Sequence, residues 1–223
     1  MTRIIVFAKA PVAGFVKTRL IPALGAEGAA NLARDMLRHT LAQALAAGAQ
    51  AVELCMSPAP RDPAWQGVAL PQLVEPSDQG SGDLGARMSR AVERALALGQ
   101  GPVLLIGTDC PALDAAQIKE AARQLTHHDA VLLPAADGGY VLLGLQAPCP
   151  GLFTDMAWST PVVATETLSR MARVGLNVWQ GPTLHDIDEP SDLPYLPETL
   201  KNTPSSYTNT AIAEQTYTLA APH

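Results

Sequence analysis

The chain has 223 residues, 48% of them hydrophobic and 16% charged, which is enough length and apolar content for one sizeable core and excludes a disordered chain. A formal net charge of -6 excludes the global basic field that would hold nucleic acid or an anionic membrane surface. The three cysteines, Cys55, Cys110 and Cys149, are odd in number and lack metal-type spacing, which excludes a disulfide framework and a cysteine zinc site and points to a reducing cytoplasm.

In chain order, the apolar run at residues 3–8 reads as a buried strand. Lys9 breaks it, so it is too short for a signal-peptide core, and no later run approaches the ~20 apolar residues of a membrane span. The loop that follows, "AKAPVAGFVKTRL", carries Lys9, Lys17 and Arg19 ahead of the first acidic residue, Glu27. Lysine offers phosphate a point charge, arginine a fork, and Gly14 a close backbone approach, so this is a candidate small-anion site. It lacks the spaced glycines of a Walker loop or a dinucleotide fingerprint, and a solvated basic loop is the alternative.

Residues 27–47 carry Leu32, Met36, Leu37, Leu41 and Leu45 at helical spacing, and strands are expected at 51–56 and 68–74. In "SDQGSGDLGARM", Gly80 and Gly82 would let a flat base approach the backbone, with Asp83 opening a helix over 83–98; a plain connector is the alternative. The run 103–106 then ends at "GTDCPALD". Asp109 falls where a strand leaves the core, at the carboxyl edge where open α/β sheets bind ligands, and a carboxylate there suits a hard cation. The competing role, capping the next helix, falls better to Asp114 with Gln117 three residues on. Cys110 has no apparent His/Asn partner set for a nucleophile.

Strands at 130–133 and 140–145 flank "PAADGG" with no helix between them, a local departure from a parallel sheet. Asp137 before two glycines reads either as a hairpin turn or as a carboxylate beside backbone that a bulky substrate can approach. Trp158 either lines a pocket or packs, and Thr160 before Pro161 signals a helix start. After a strand at 176–179, "HDIDEPSDL" brings together His185, Asp186 and Asp188. In an extended segment Asp186 and Asp188 share a face and could serve as ligands, against the reading of an acidic helix cap. From about Pro197 the chain turns rich in Thr, Ser and Asn, and a mobile tail is expected over 199–223, against a final strand or a partner-binding segment.

In this order, "FAKAPVAGFVKTRL", "QGSGDLGARM", "IGTDCPALD", "PAADGGYVLLGL", "WST" and "DIDEPSDL" resemble the glycosyltransferase-like proteins of GT-A fold, often catalogued as radical-SAM/selenodomain-associated transferases. These belong to the nucleotide-diphospho-sugar transferase superfamily and are distantly similar to phospholactate and molybdenum-cofactor guanylyltransferases. The resemblance covers about residues 3–193 and implies a three-layer αβα fold with a mostly parallel, Rossmann-like sheet over residues 1–198. It implies that Asp109 and Asp188 hold a divalent metal, Mg²⁺ or Mn²⁺, and that Lys17 and Arg19 lie near nucleotide phosphates; the loop readings above add Lys9, Gly14, Gly80, Gly82 and Asp83 as candidate nucleotide or phosphate contacts. Asp137, a candidate acceptor-activating base, falls with Gly138, Gly139, Tyr140 and Trp158 near the transferred group or acceptor. The chain departs from the family pattern at Ala13, Leu133 and Ala136, which bears on substrate preference.

The resemblance implies a metal-dependent enzyme that moves a glycosyl group from a nucleotide-activated small-molecule donor to a small-molecule acceptor, with Lys17, Arg19 and the metal neutralising the departing diphosphate. The alternatives are a nucleotidyltransferase releasing pyrophosphate and a non-catalytic nucleotide-binding module. No nucleic acid or membrane partner is expected, and a homo-oligomer is left open.

Overall fold

In a computed structural model that describes residues 2–99 and 101–201, seven strands form one sheet: β1 (Arg3–Lys9), β2 (Ala51–Ser57), β3 (Val74–Asp78), β4 (Val103–Ile106), β5 (Ala130–Pro134), β6 (Tyr140–Leu145) and β7 (Val178–Gln180). Their order is β3-β2-β1-β4-β6-β5-β7. All pairs are parallel except the two made by β6, which runs against both β4 and β5. The helix-free stretch between β5 and β6 thus closes as a hairpin, which reverses one strand.

Helices cover both faces. The first, α1 (Ile21–Ala46), has non-helical backbone at Gly25, so its regular part begins where the leucine periodicity does. α2 (Leu84–Ala97) is capped by Asp83, whose carboxylate accepts the Ala86 N–H at 2.8 Å. α3 (Ala115–Gln124) carries the full capping box of Asp114 and Gln117. α4 (Val163–Arg173) starts two residues later than Thr160 before Pro161 suggests, because the Thr160 hydroxyl is spent on the Ala157 carbonyl at 2.6 Å.

The alternation of each strand decides which helices it meets. Ile4, Val6, Leu54, Leu104 and Ile106 face Leu37 and Leu41 of α1 and Ile118 of α3. Ile5, Leu105, Leu132 and Leu143 face Met88 and Val92 of α2 and Met171 of α4. Burial of each such side chain stabilises by roughly 1.5–3 kcal/mol, so the sheet is held from both sides. An ionic knot on the α2 face, buried at Arg3 and Glu53, ties three strands together: Arg3 reaches Glu53 at 3.2 Å and Glu75 at 2.8 Å, and Arg94 pairs with Glu53.

The third strand begins only at the last residue of the expected 68–74. That run contains Pro71 and closes as a turn, with the Val74 N–H donating to the Pro71 carbonyl, while Val68 and Leu70 pack on the core without pairing. The true strand is polar and carries Pro76, which an edge strand tolerates because its outer side has no ladder to serve. At the other end of the chain, Glu198–Lys201 forms a short helix, α5, and Leu200 packs beside Ile187 and Leu196, so the first residues of the expected tail are folded. Residues 202–223 lie outside the described residues. Among the described residues, no helix is long and apolar enough to cross a membrane.

One close approach inside the sheet depends on a missing side chain. A Cβ at Gly144 on β6 would lie 2.5 Å from Val131, 2.6 Å from Leu104 and 2.9 Å from Leu125, all fully or almost fully buried. Gly144→Val is therefore expected to cost about 3 kcal/mol, the upper end for overpacking. The measurement is a fall in the urea midpoint at unchanged slope.

Candidate functional site

Because β6 is reversed, the carboxyl ends of β1, β4, β5 and β7 and the start of β6 all open on one edge of the sheet. The segment after β7 crosses this edge. The Leu184 N–H donates to the Pro134 carbonyl at 2.9 Å, the Ala136 N–H donates to the Leu184 carbonyl at 2.8 Å, and the Ile187 N–H donates to the Asp109 carbonyl at 2.8 Å. Ile187 is fully buried against Leu20, Ala29 and Met36. With Ile187 turned inward, the extended backbone turns Asp186 and Asp188 outward together.

The β5–β6 hairpin supplies the third carboxylate. Asp137 accepts the Gly139 N–H at 2.7 Å, so the turn holds the side chain in place. Gly138, at φ 90°, sits so close to the chain before α4 that an added Cβ would lie 2.1 Å from the Pro161 carbonyl oxygen. The Gly138 carbonyl accepts the Ala164 N–H at 2.9 Å, which fastens the hairpin to the start of α4. One carboxylate oxygen each from Asp137, Asp186 and Asp188 then lie within 4.8 Å of one another. Burial, and after it the charges of Asp137, Asp188 and Asp109, push the Asp186 carboxyl up to about 6. Such crowding is the electrostatic signature of a place that favours a cation.

Lys17 stands beside this group. Its backbone is left-handed, at φ 47°, and its side chain is only 5% exposed. The ammonium lies 2.5 Å from Asp109 Oδ1 and 2.8 Å from Asp188 Oδ1, and donates to the Ile187 carbonyl at 2.7 Å. Burial works against the charged form, but the neighbouring Asp109 and Asp188 carboxylates outweigh it and hold the lysine above its ordinary pKa. Lys17, read from sequence as a phosphate ligand, is engaged by two carboxylates. Asp109, read as a metal ligand, is one of these partners, and the close carboxylate trio joins Asp186 to Asp137 and Asp188. The sequence signal for Asp186 was its i, i+2 spacing from Asp188; what tips the balance is the buried Ile187 between them.

The other expected residues fall into two groups. Lys9 and Arg19 are exposed near the same edge, Arg19 being 68% exposed and 3.7 Å from Glu189, and Gly14 turns the loop between them at φ 81°. In the loop of Gly80 and Gly82, Arg90 donates to the carbonyls of Gln79 and Ser81, and Arg87 to that of Gly82. The buried Gln79 amide donates to Ala8 and Cys55 carbonyls, sealing the ends of β1 and β2, and Asp83 is occupied as the cap of α2. Tyr140 turns its phenol toward Met88 in the core, where burial raises its pKa. Trp158 packs on that same core beside Gly85. His185 stacks on Tyr195 at 3.9 Å, with its Nε2 3.1 Å from Asp192, while Asp192 accepts the N–H groups of Asp188 and Glu189. The helix-cap reading of this motif thus belongs to Glu189 and Asp192, leaving Asp186 and Asp188 for the edge. The Cys110 thiol is buried against the His185 carbonyl, and burial pushes it up to about 11.

Residues 40–160 match the model of a family described as "Uncharacterized protein conserved in bacteria (DUF2064)". No curated protein matches the sequence. Among solved structures the chain is similar to a protein from Desulfovibrio desulfuricans G20 provisionally described as a nucleotide-diphospho-sugar transferase, with 33% identity over 91% of this chain and 89% of that one and a TM-score of 0.82. A nucleotidyl transferase from Methanothermobacter shares 20% identity over 91% of this chain and 99% of that one, with a TM-score of 0.60. Rv0371c from Mycobacterium tuberculosis H37Rv, in complex with manganese, shares 15% over 87% and 97%, with a TM-score of 0.53. These last two likenesses are of fold alone. With the strand order, the comparisons show the GT-A-like fold of the nucleotide-sugar transferase superfamily.

The contact of Gly138 with Pro161 makes a testable demand. Gly138→Ala combines a left-handed backbone with a clash against main chain, and is expected to lower the unfolding free energy by about 2 kcal/mol or more. Gly151, which has open space around it, serves as control: Gly151→Ala should stay within about 0.5 kcal/mol of the parent in the same urea titration.

Proposed function

This chain belongs to the bacterial family DUF2064, and from its fold and the geometry at the sheet edge we propose that it transfers a glycosyl group from a nucleoside-diphosphate sugar to a small-molecule acceptor, with a divalent cation held by Asp137, Asp186 and Asp188. The carboxylate trio is the observation that carries the reading. Its oxygens are hard donors at a separation one ion can span, and the Asp186 carboxyl is raised first by burial and then by the neighbouring carboxylates, both of which a bound cation would offset. The donor class is supported by the relative at 33% identity, provisionally described as a nucleotide-diphospho-sugar transferase.

When bound, the cation supplies positive charge to the diphosphate that leaves. The protein's own groups do the rest. Lys9 and Arg19, exposed beside the trio's edge, add charge toward the same anion. Lys17, with Asp109, keeps Asp188 in place. Asp137, considered from sequence as a base, is assigned here as a ligand, because its carboxylate already stands within the trio. Gly138 lets the hairpin seat against Pro161, and the Gly139 N–H holds Asp137 in place. Tyr140 and Trp158 support the hairpin and the start of α4 from the core side.

The test is the thermal unfolding midpoint with Mn²⁺ and a panel of nucleoside-diphosphate sugars and nucleoside triphosphates. A ligand at 100 times its dissociation constant adds about 2.7 kcal/mol. Stabilisation by a sugar nucleotide that vanishes without metal, and release of a nucleoside diphosphate on turnover, is the expected result. Selective stabilisation by a triphosphate with release of pyrophosphate would replace glycosyl by nucleotidyl transfer. Asp186→Asn is expected to weaken Mn²⁺ binding by about 100-fold or more, since changes outside the ligand set alone cost 10–100-fold.

A further inference from the structure

We infer that Trp158 is a positioning residue for the Asp137 hairpin: through it the first turn of α2, which also carries the glycine loop, sets where Asp137 stands. The hold on the hairpin is a matter of packing; its bearing on a cation rests on the reading that Asp137 is one of the ligands. Three sets of contacts carry the inference. The first ties the loop to α2. Arg90 donates to the Gln79 and Ser81 carbonyls at 2.6 and 2.9 Å, Arg87 donates to the Gly82 carbonyl at 2.8 Å, and Asp83 caps the helix, so loop and first turn form one unit. The second lies at Gly85. An added Cβ there would meet the Phe153 carbonyl oxygen at 2.3 Å, Trp158 Nε1 at 2.9 Å and Trp158 Cζ2 at 3.1 Å, so helix and segment touch where only glycine fits. The third is at the hairpin, where Gly138 closes on Pro161 and its carbonyl accepts the Ala164 N–H. Tyr140, at the far end of the hairpin, adds a direct contact: its phenol lies 3.9 Å from the Met88 sulfur, one turn along α2 from Gly85.

The span between these contacts has little freedom. Arg170 of α4 donates to the carbonyls of Gly151, Thr154 and Asp155 and so fixes its start. Asp155 and Ser159 take left-handed backbone, at φ 49° and 62°, which residues with side chains hold only where their surroundings enforce it. The Thr160 hydroxyl closes the end of the span on the Ala157 carbonyl. Trp158 is the side chain that this bent span presents to α2. Its indole N–H is buried and has no acceptor among the described residues. An unpaired buried donor is a cost. A phenyl ring would avoid it but lacks the Nε1–Cζ2 edge that lies against Gly85, so this position uses the indole edge and not apolar burial as such. A displacement of the first turn of α2 then passes to Trp158 and on through Pro161 to Gly138 and Asp137, because a close-packed interior transmits strain.

The experiment is amide hydrogen exchange, read by NMR on the full chain without ligand, in wild type, Trp158→Phe and Gly85→Ala. The Ala135 and Ala164 amides report the hairpin, since they donate to the Gly139 and Gly138 carbonyls; the Ile187 and Ala10 amides, which donate to the Asp109 and Ser57 carbonyls, report the segments after β7 and β1. Both variants are expected to speed exchange at Ala135 and Ala164 about tenfold or more and to leave Ile187 and Ala10 within about threefold of wild type. Unchanged Ala135 and Ala164 in either folded variant would overturn the inference. So would an equal rise at all four amides, which reports a general loss of stability. Gly85→Ala clashes with main chain; should it fail to fold, Trp158→Phe, which only removes atoms, decides alone. A Mn²⁺ titration then reads the consequence for the cation. Trp158→Phe is expected to bind with about tenfold lower affinity at the same stoichiometry, the effect of a residue that supports a ligand without being one. Unchanged affinity beside faster exchange would overturn the link from hairpin to cation. A wild type that binds no Mn²⁺ would remove the metal reading, while the exchange data would still decide whether Trp158 holds the hairpin.

Discussion

Mutual repulsion among four aspartates is the constraint around which this sheet edge is built. Asp109, Asp137, Asp186 and Asp188 come from three separate loops, and each of the last three presents an oxygen within 4.8 Å of the other two. At such a separation, and at an effective dielectric constant near 20, each like-charged pair costs about 3 kcal/mol. Side chains left to themselves would swing apart. They are held by backbone bonds that do not depend on charge: Ile187 to Asp109, Leu184 to Pro134, and Ala164 to Gly138. Lys17 then offsets part of the repulsion from within.

Those backbone bonds have their own cause in packing. Ile187 is drawn into the pocket of Leu20, Ala29 and Met36, and its burial sets the register of the whole 184–188 segment. Leu20 closes the 3₁₀ turn that begins just after Lys17, so the same small apolar cluster anchors the lysine and the aspartates it meets. The hairpin is positioned from the other side of the sheet, through Gly138 against Pro161. Apolar burial below the edge and main-chain contact at its rim thus hold a charged arrangement that charge alone would disperse. This separation of roles lets several carboxylates stand close together without each having a cationic partner.

Much of the architecture is legible in the sequence because local rules and global fold agree. Aliphatic runs at β1, β2, β4, β5 and β6 coincide with strands, leucine spacing marks α1, and the Asp114–Gln117 capping box starts α3 as written. The failures are instructive. The third strand is missed because an edge strand needs little apolar character, and the nearby apolar run is used for packing without pairing. The start of α4 is misplaced because the Thr160 hydroxyl finds a carbonyl three residues back. Tyr140 follows a glycine-rich turn in the sequence, yet strand alternation sends its phenol to the core.

The sequence by itself determined that acidic residues stand at strand ends and that basic ones precede them, since both follow from residue type and the end of an apolar run. It also left Asp186 and Asp188 on one face, because alternation in an extended chain is a local property. Only the tertiary structure decided which charges meet. Lys17 and Asp188 are 171 positions apart, and nothing local to either selects the other. The choice is made by the burial of Leu20 and Ile187 in one cluster and by the reversal of β6, which together bring the loops after β1, β4 and β7 and the β5–β6 hairpin to the same edge. Charge pairing acts over a few ångströms, so it can be read only after packing has brought the partners within reach.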